Sequence, residues 1–176
     1  MLWPVLDEIF CLGLRYDNSL EAVKERLDFL IREKIGICDI VESCRRIKID
    51  ASDLGMLEIR QRNILRQLQL YPSIDTLIFT GGNTKNGPEY LFRRQLKSSG
   101  LKLDCIGSEV PRRHQFIHHE KVYTTISLTS PSNAANRAIG SSALYKRCKA
   151  ANPFYTTFDY RVDQYRQVFK ALPKSD

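Results

Sequence analysis

The sequence predicts an α/β fold, with three layers α/β/α around a short parallel sheet, and three observations carry that prediction. Short apolar, β-branched runs alternate with segments whose apolar residues recur at helical spacing. Proline and glycine punctuate the joins, with Pro88 opening one helical segment and Gly100 following it. A chain of 176 residues, 43% hydrophobic, suffices for one sizeable core and hardly for two, which predicts a single domain over 1–176.

The elements follow in order. Leu2 to Phe10 reads as a helix with Pro4 near its start. Ser19 is placed to cap a second helix running to about Glu33, with Leu20, Val23, Leu27, Leu30 and Ile31 along one face. The apolar run IGICDIV (Ile35 to Val41) suits a buried parallel strand. The polar, basic ESCRRIKIDASD that follows cannot be a core element. A helix is expected from about Met56 to Leu70, stopped by Pro72, and IDTLIFTGG (Ile74 to Gly82) is the second buried strand. Gly87-Pro88 opens a helix through about Ser98. Residues 101–121 are less regular, and EVPRRHQFIHHEK reads as an exposed loop or a hairpin. The third strand is Tyr123 to Leu128. The last helix is Phe158 to Leu172, where Phe158, Val162, Tyr165, Phe169 and Leu172 keep helical spacing.

Charge and cysteine content narrow the function classes. The balance of 27 Lys and Arg against 20 Asp and Glu gives +7, which favours polyanionic partners, with an ordinary basic surface as the competing reading. Five cysteines without a C-x-x-C pair argue against a disulfide framework, a zinc site or an iron-sulfur site, and for reduced, mostly buried thiols in a cytoplasmic protein. No apolar run reaches the ~18 residues that span a bilayer, and no cleavable leader opens the chain, so no membrane partner is expected.

Ligands of open parallel sheets bind beyond the carboxyl ends of the strands, where Asp39, Thr80 to Lys85 and Thr129 to Arg137 are expected to fall; Asp39, Thr80 and Gly81 are candidates for a pocket. The third strand runs into ISLTSPSNAANRAIG, whose hydroxyls, amides and backbone N–H groups suit a phosphate or a base edge, or else satisfy their own turn. FTGGNTKNGP matches neither G-x-G-x-x-G nor G-x-x-x-x-G-K-[ST], so it reads as a tight strand-to-helix connection. His114, His118 and His119 lack H-E-x-x-H spacing, and no metal site is expected from them. RRHQF together with Arg45, Arg46 and Lys48 could supply phosphate contacts or form a solvated charged face.

Taken in order, these segments resemble the uracil-DNA glycosylase superfamily, most closely its hypoxanthine-DNA glycosylase branch. SLTSPSNAA keeps Ser127, Thr129, Ser130, Pro131, Asn133 and Ala134 in register with that branch's S-T-S-P-A-N-A segment. GICDIVESCRR is similar to G-I-x-x-W/C-D-V-x-x-S-C-x-R, IDTLIFTGG with the later LFRR is similar to I-x-x-I-L-F-N-G and L-F, and LWPVLDEIF is similar to F-W-P-V-L. The resemblance covers nearly the whole chain, with extra residues at 103–121 and 135–157. It implies hydrolysis of the N-glycosidic bond of a flipped, deaminated deoxynucleotide, uracil or hypoxanthine, by a monomeric DNA-binding protein that needs no metal or cofactor. Ser130 stands where many relatives carry a histidine or asparagine facing the leaving base, and Ser130 with Asn133 form the implied catalytic pair. Thr129, Pro131, Ser132, Asn136 and Arg137 are the implied DNA contacts. The superfamily's first motif, a G-x-x-P loop or an H-P-R-N segment carrying the water-positioning residue, has no counterpart here. The resemblance therefore implies a chain truncated at its N-terminus, with the missing strand between those at 35–41 and 74–79, or a DNA-binding relative that has lost its chemistry.

Overall fold

The computed structural model describes residues 2–47, 53–107 and 109–172. In chain order it holds α1 (Leu2–Phe10), α2 (Leu20–Arg32), β1 (Val41–Arg46), β2 (Met56–Gln61), α3 (Ile64–Leu70), β3 (Thr76–Phe79) and α4 (Pro88–Ser98). There follow β4 (Asp104–Gly107), β5 (Arg112–His118), β6 (Lys121–Ser127), α5 (Asn136–Ser141), α6 (Ala143–Ala151) and α7 (Thr157–Phe169). Two compact units result, one of Met1–Cys38 with Pro131–Asp176 and one of Asp39–Ser130. No described helix is long and apolar enough to cross a membrane.

The first unit is helical. Its core joins Val5, Leu6 and Ile9 of α1 to Tyr160, Val162, Tyr165 and Val168 of α7, and Phe10 meets both Phe29 and Phe169 edge-on. Helix α2 starts where Ser19 accepts from the amide of Ala22, but it turns the face opposite to the expected one inward. Ala22 and Phe29 are buried, whereas Leu20, Val23, Leu27 and Ile31 are at least half exposed. Phe29 turns inward because it meets the rings of both Trp3 and Phe10. Helix α7 opens on a reciprocal cap, Thr156 taking the amide of Asp159 and the Asp159 carboxylate taking that of Thr156. Helices α5 and α6 occupy residues to which the sequence assigned no element.

The second unit corrects the expected parallel sheet. Its four strands run in the order β3-β6-β5-β4, and only β3 and β6 are parallel, with Phe79 opposite Ser127. The remainder is an antiparallel meander, the hairpin alternative for residues 101–121. β5 turns into β6 at His119 and Glu120, both with positive φ. Without a glycine there, the turn leaves little trace in the sequence. The strand expected at Ile35 to Val41 is also corrected, since β1 begins at Val41 and forms a separate two-stranded hairpin with β2. The helix expected from Met56 shrinks to α3, capped by Asn63. Met56–Gln61 is drawn into strand pairing with β1, where Arg45 meets Glu58 and Arg60 meets Glu42. Phe92 of α4 packs against Phe79 and Phe116 of the sheet, each with ring centroids 5.3 Å apart, in one core with Leu65 and Leu68 of α3.

Candidate functional site

The parallel pair fixes where its two loops leave the sheet. The amide of Leu128 donates to the carbonyl of Phe79 at 2.8 Å, so Thr80–Gly82 and Thr129–Ser130 emerge at the same end. Thr80 is exposed, Gly81 is buried, and Thr129 and Ser130 are half-buried. A Cβ on Gly81 would come within 2.9 Å of the Pro88 ring, and one on Gly87 within 2.6 Å of the Gly82 carbonyl oxygen. Both glycines therefore serve the close approach of α4 to its own loop, the tight-connection reading of FTGGNTKNGP. Asp39 is corrected. It precedes β1 rather than following a sheet strand, and its carboxylate accepts the amide of Val41 while its carbonyl accepts from Arg62.

Behind this end of β6 lies a polar cluster that the sequence did not single out. Glu89, in the first turn of α4, is fully buried and takes Arg93 Nε at 2.8 Å. Arg93 also donates to His114 Nε2 at 2.8 Å, which makes that nitrogen the acceptor and places the imidazole proton on Nδ1. His114 faces Thr125 across the β5/β6 ladder, and Ser127 lies two residues further along the same side of β6. Burial works to raise the Glu89 carboxyl, but Ser127 and Arg93 outweigh it and hold the group below the usual carboxylate range. The Ser127 hydroxyl does this without completing a hydrogen bond of normal geometry. Glu89 Oε2, His114 Nδ1, Thr125 Oγ1 and Ser127 Oγ are buried without a hydrogen-bond partner, donors and acceptors of the kind that a buried water joins. The sequence drew notice to His114 as one of three histidines without metal-ligand spacing and to Ser127 as part of SLTSPSNAA, but not to their meeting with Glu89.

Burial and the neighbouring Arg93 depress the pKa of His114 below its ordinary 6.5. The folded protein thus holds the ring neutral while the unfolded chain protonates it, so the stability it contributes is complete above about pH 6.5 and is lost as pH falls. Glu89 adds the same sign at lower pH, because its folded carboxyl resists protonation. The melting temperature is therefore expected to fall from pH 7 to pH 5. His114→Gln, whose carbonyl can still accept from Arg93, should flatten that fall, and parallel pH profiles for the two proteins would contradict this account.

The rest of the motif lies in the helical unit. Ser132 stands immediately before a 3-10 turn, Asn133–Ala135, that leads into α5. Arg161 of α7, fully buried, donates to the carbonyl of Ser132 at 2.7 Å, to Asn136 Oδ1 at 2.8 Å and to the carbonyl of Thr157 at 2.9 Å. Asn136, an expected DNA contact, thus turns its side-chain oxygen to Arg161. Pro131 is half-buried, and Ser132, Asn133 and Arg137 are exposed. Arg161 sits beside Val162 in an apolar helix stripe, and nothing in its spacing marks it as the residue that holds the motif turn.

A shallow cavity of about 500 Å³ in the same unit is lined by Pro4, Asp7, Glu8, Cys11, Tyr16 and Phe158. Its apparent functional group, Asp7, is occupied in closing a loop. One oxygen accepts the amides of Gly13 and Leu14, and the other accepts the Tyr16 hydroxyl at 2.9 Å. Burial, then Asp7, pushes the Tyr16 phenol up to about 12. Among the described residues no group of three or more His, Cys, Asp or Glu side chains could hold a metal ion, and Lys48 lies outside them. Comparison with family models, with curated proteins and with solved structures returned no match.

Proposed function

We propose that this protein is a DNA-binding member of the uracil-DNA glycosylase superfamily, acting on a flipped uracil or hypoxanthine. The observation that carries the reading is the segment SLTSPSNAA leaving the carboxyl end of a parallel strand, with Thr80 and Gly81 emerging beside Thr129 and Ser130. The α/β character and the parallel β3/β6 pair support the finer fold assignment, a three-layer sandwich of that superfamily's type. In the proposed reaction water adds to C1′ of the sugar and gives up a proton, the N-glycosidic bond breaks with its electron pair leaving on the base, and the base anion takes up a proton from solvent. A departing base anion is stabilised by donors fixed in advance, here the Ser130 hydroxyl and neighbouring backbone N–H groups, with Asn133 as partner. Thr129, Pro131, Ser132 and Arg137 meet the DNA backbone. The protein works as a monomer and uses no metal or cofactor.

A second reading, a non-catalytic DNA-binding relative, is favoured by one observation. The residues gathered where β3 and β6 end are hydroxyls and glycines, and the nearby carboxylate, Glu89, is shut away from solvent. Single-turnover excision from uracil- and hypoxanthine-containing oligonucleotides separates the two. Excision that falls by roughly tenfold or more in Ser130→Ala and Asn133→Ala, with melting unchanged, supports the glycosylase. Salt-sensitive binding without excision selects the second reading, since phosphate contacts release counterions whatever the chemistry. No binding at low salt removes both.

A further inference from the structure

The most exposed large apolar side chain among the described residues is Phe154, 88% accessible, in the turn between α6 and α7. Single exposed apolar residues are ordinary on protein surfaces. This one differs in how firmly it is presented. The amide of Phe154 donates to Asn152 Oδ1 at 3.0 Å, and that of Tyr155 donates to the Asn152 carbonyl at 2.9 Å. Lys149 Nζ reaches from α6 to the carbonyls of Pro153 and Tyr155, at 2.7 and 2.9 Å. The Tyr155 hydroxyl is anchored on Asp163 at 2.7 Å, and Pro153 fixes the backbone just before the ring. The backbone on both sides of Phe154 is thus tied down, which holds the stem of this exposed side chain at the surface.

Along α6 and residues 152–155 the charge is of one sign, and the nearest carboxylates, Asp159 and Asp163, stand on α7, engaged with Thr156 and with Tyr155 and Arg166. Between Lys121 and Asp159 the sequence holds no Asp or Glu, while Arg137, Lys146, Arg147 and Lys149 all fall there. Lys149 spends its hydrogen bonds on neutral carbonyls, which leave its charge uncancelled. Lys146 precedes it by three residues and so shares its side of α6, and Arg147 is adjacent. Lys146 and Arg147 are exposed, and no ion pair involves them among the described residues. An exposed aromatic ring on a fixed backbone, near cations without an ion-pair partner, matches the chemistry of a nucleic-acid strand whose bases are unpaired, because each such base offers a free π-face and each linkage a phosphate.

We infer that α6 and the 152–155 turn form a binding surface for an unpaired nucleic-acid strand, with a base stacked on Phe154 and phosphates on Lys146 and Arg147. The surface deepens the proposed function and rests on its nucleic-acid partner, while using none of the residues assigned to the motif. It gives a protein that acts on a displaced base a hold on the strand beyond that base.

The test is equilibrium binding to a labelled oligothymidylate strand and to the same strand in duplex. Phe154→Ala is expected to weaken single-strand binding roughly tenfold, within the range of base–aromatic stacking, and to leave duplex binding unchanged. Phe154→Leu should behave like Phe154→Ala, whereas Phe154→Trp should retain affinity and show fluorescence quenching beyond that of the wild-type Trp3. Lys146→Gln with Arg147→Gln should reduce the slope of log affinity against log salt by about 1.4. An unchanged single-strand affinity in Phe154→Ala, strand binding by Phe154→Trp without added quenching, or no wild-type binding to the strand overturns the inference. Phe154 is outside the core, so unchanged melting accompanies each variant. Excision without an effect of Phe154→Ala sinks this surface alone, and strand binding without excision sinks the glycosylase alone.

Discussion

Arg161→Met is expected to lower the melting temperature by roughly 10 °C and to open the backbone amides of the 132–136 turn to hydrogen exchange. The guanidinium is buried and spans the Ser132 carbonyl, the Asn136 amide oxygen and the Thr157 carbonyl. Methionine fills the stem's place but donates nothing. Hydrogen bonds from a charged donor are worth about 1.5 to 3 kcal/mol each. Part of that is returned because the guanidinium no longer has to be desolvated, and Ser132 is exposed enough for water to reach its carbonyl. A net cost of about 3 kcal/mol remains, at roughly 2 to 4 °C per kcal/mol for a chain of this size. Arg161→Lys should recover little, since one ammonium cannot reproduce the planar fork that reaches separate acceptors. A melting temperature within about 2 °C of wild type, with the turn's amides protected as before, would show that the motif turn holds itself.

Glu89→Ala is expected to cost about 3 kcal/mol, at the lower end for breaking a buried ion pair because the Arg93 side chain is 31% exposed. Removing the carboxylate leaves Arg93 beside His114 with no anion, so the guanidinium must take water or turn away. Glu89→Gln, which keeps an acceptor for Arg93 Nε, should cost less. The double variant Glu89→Leu with Arg93→Leu should lie within about 1 kcal/mol of wild type, since apolar groups of similar volume replace buried pairs well. Chemical denaturation of Glu89→Leu, of Arg93→Leu and of the double gives the coupling directly. Additive losses would mean that the two side chains act independently.

The two predictions rest on residues that the sequence hid for a common reason. Arg161 and Glu89 are charged side chains in helices, and a charge in a helix reads as a solvated face unless its surroundings are known. Their surroundings come from other elements. Ser132 and Asn136 come to Arg161 from 29 and 25 residues away, and His114 to Arg93 from 21. The motif around Ser130 was legible because it is local, a β-branched strand running into Ser-Pro-Ser. The roles within it were less so. Asn136 has the side chain of a surface contact, and Arg161 takes up its oxygen.

By itself the sequence determined the features whose energies are local. Ser19 capping α2, Pro88 opening α4, the β3 run before its glycine turn and the apolar stripe of α7 depend on dihedral preference, capping hydrogen bonds and periodicity within a few residues. Tertiary structure decided what those energies leave nearly balanced. Met56–Gln61 became a strand because β1 offered complementary charges and open backbone groups. The sheet became mixed because the His119-Glu120 turn folded β5 back on β6, and α2 turned Phe29 inward because two aromatic rings were there to receive it. Partners distant in the chain supply more free energy through burial and ladder hydrogen bonds than the few tenths of a kcal/mol that separate roughly comparable local conformations.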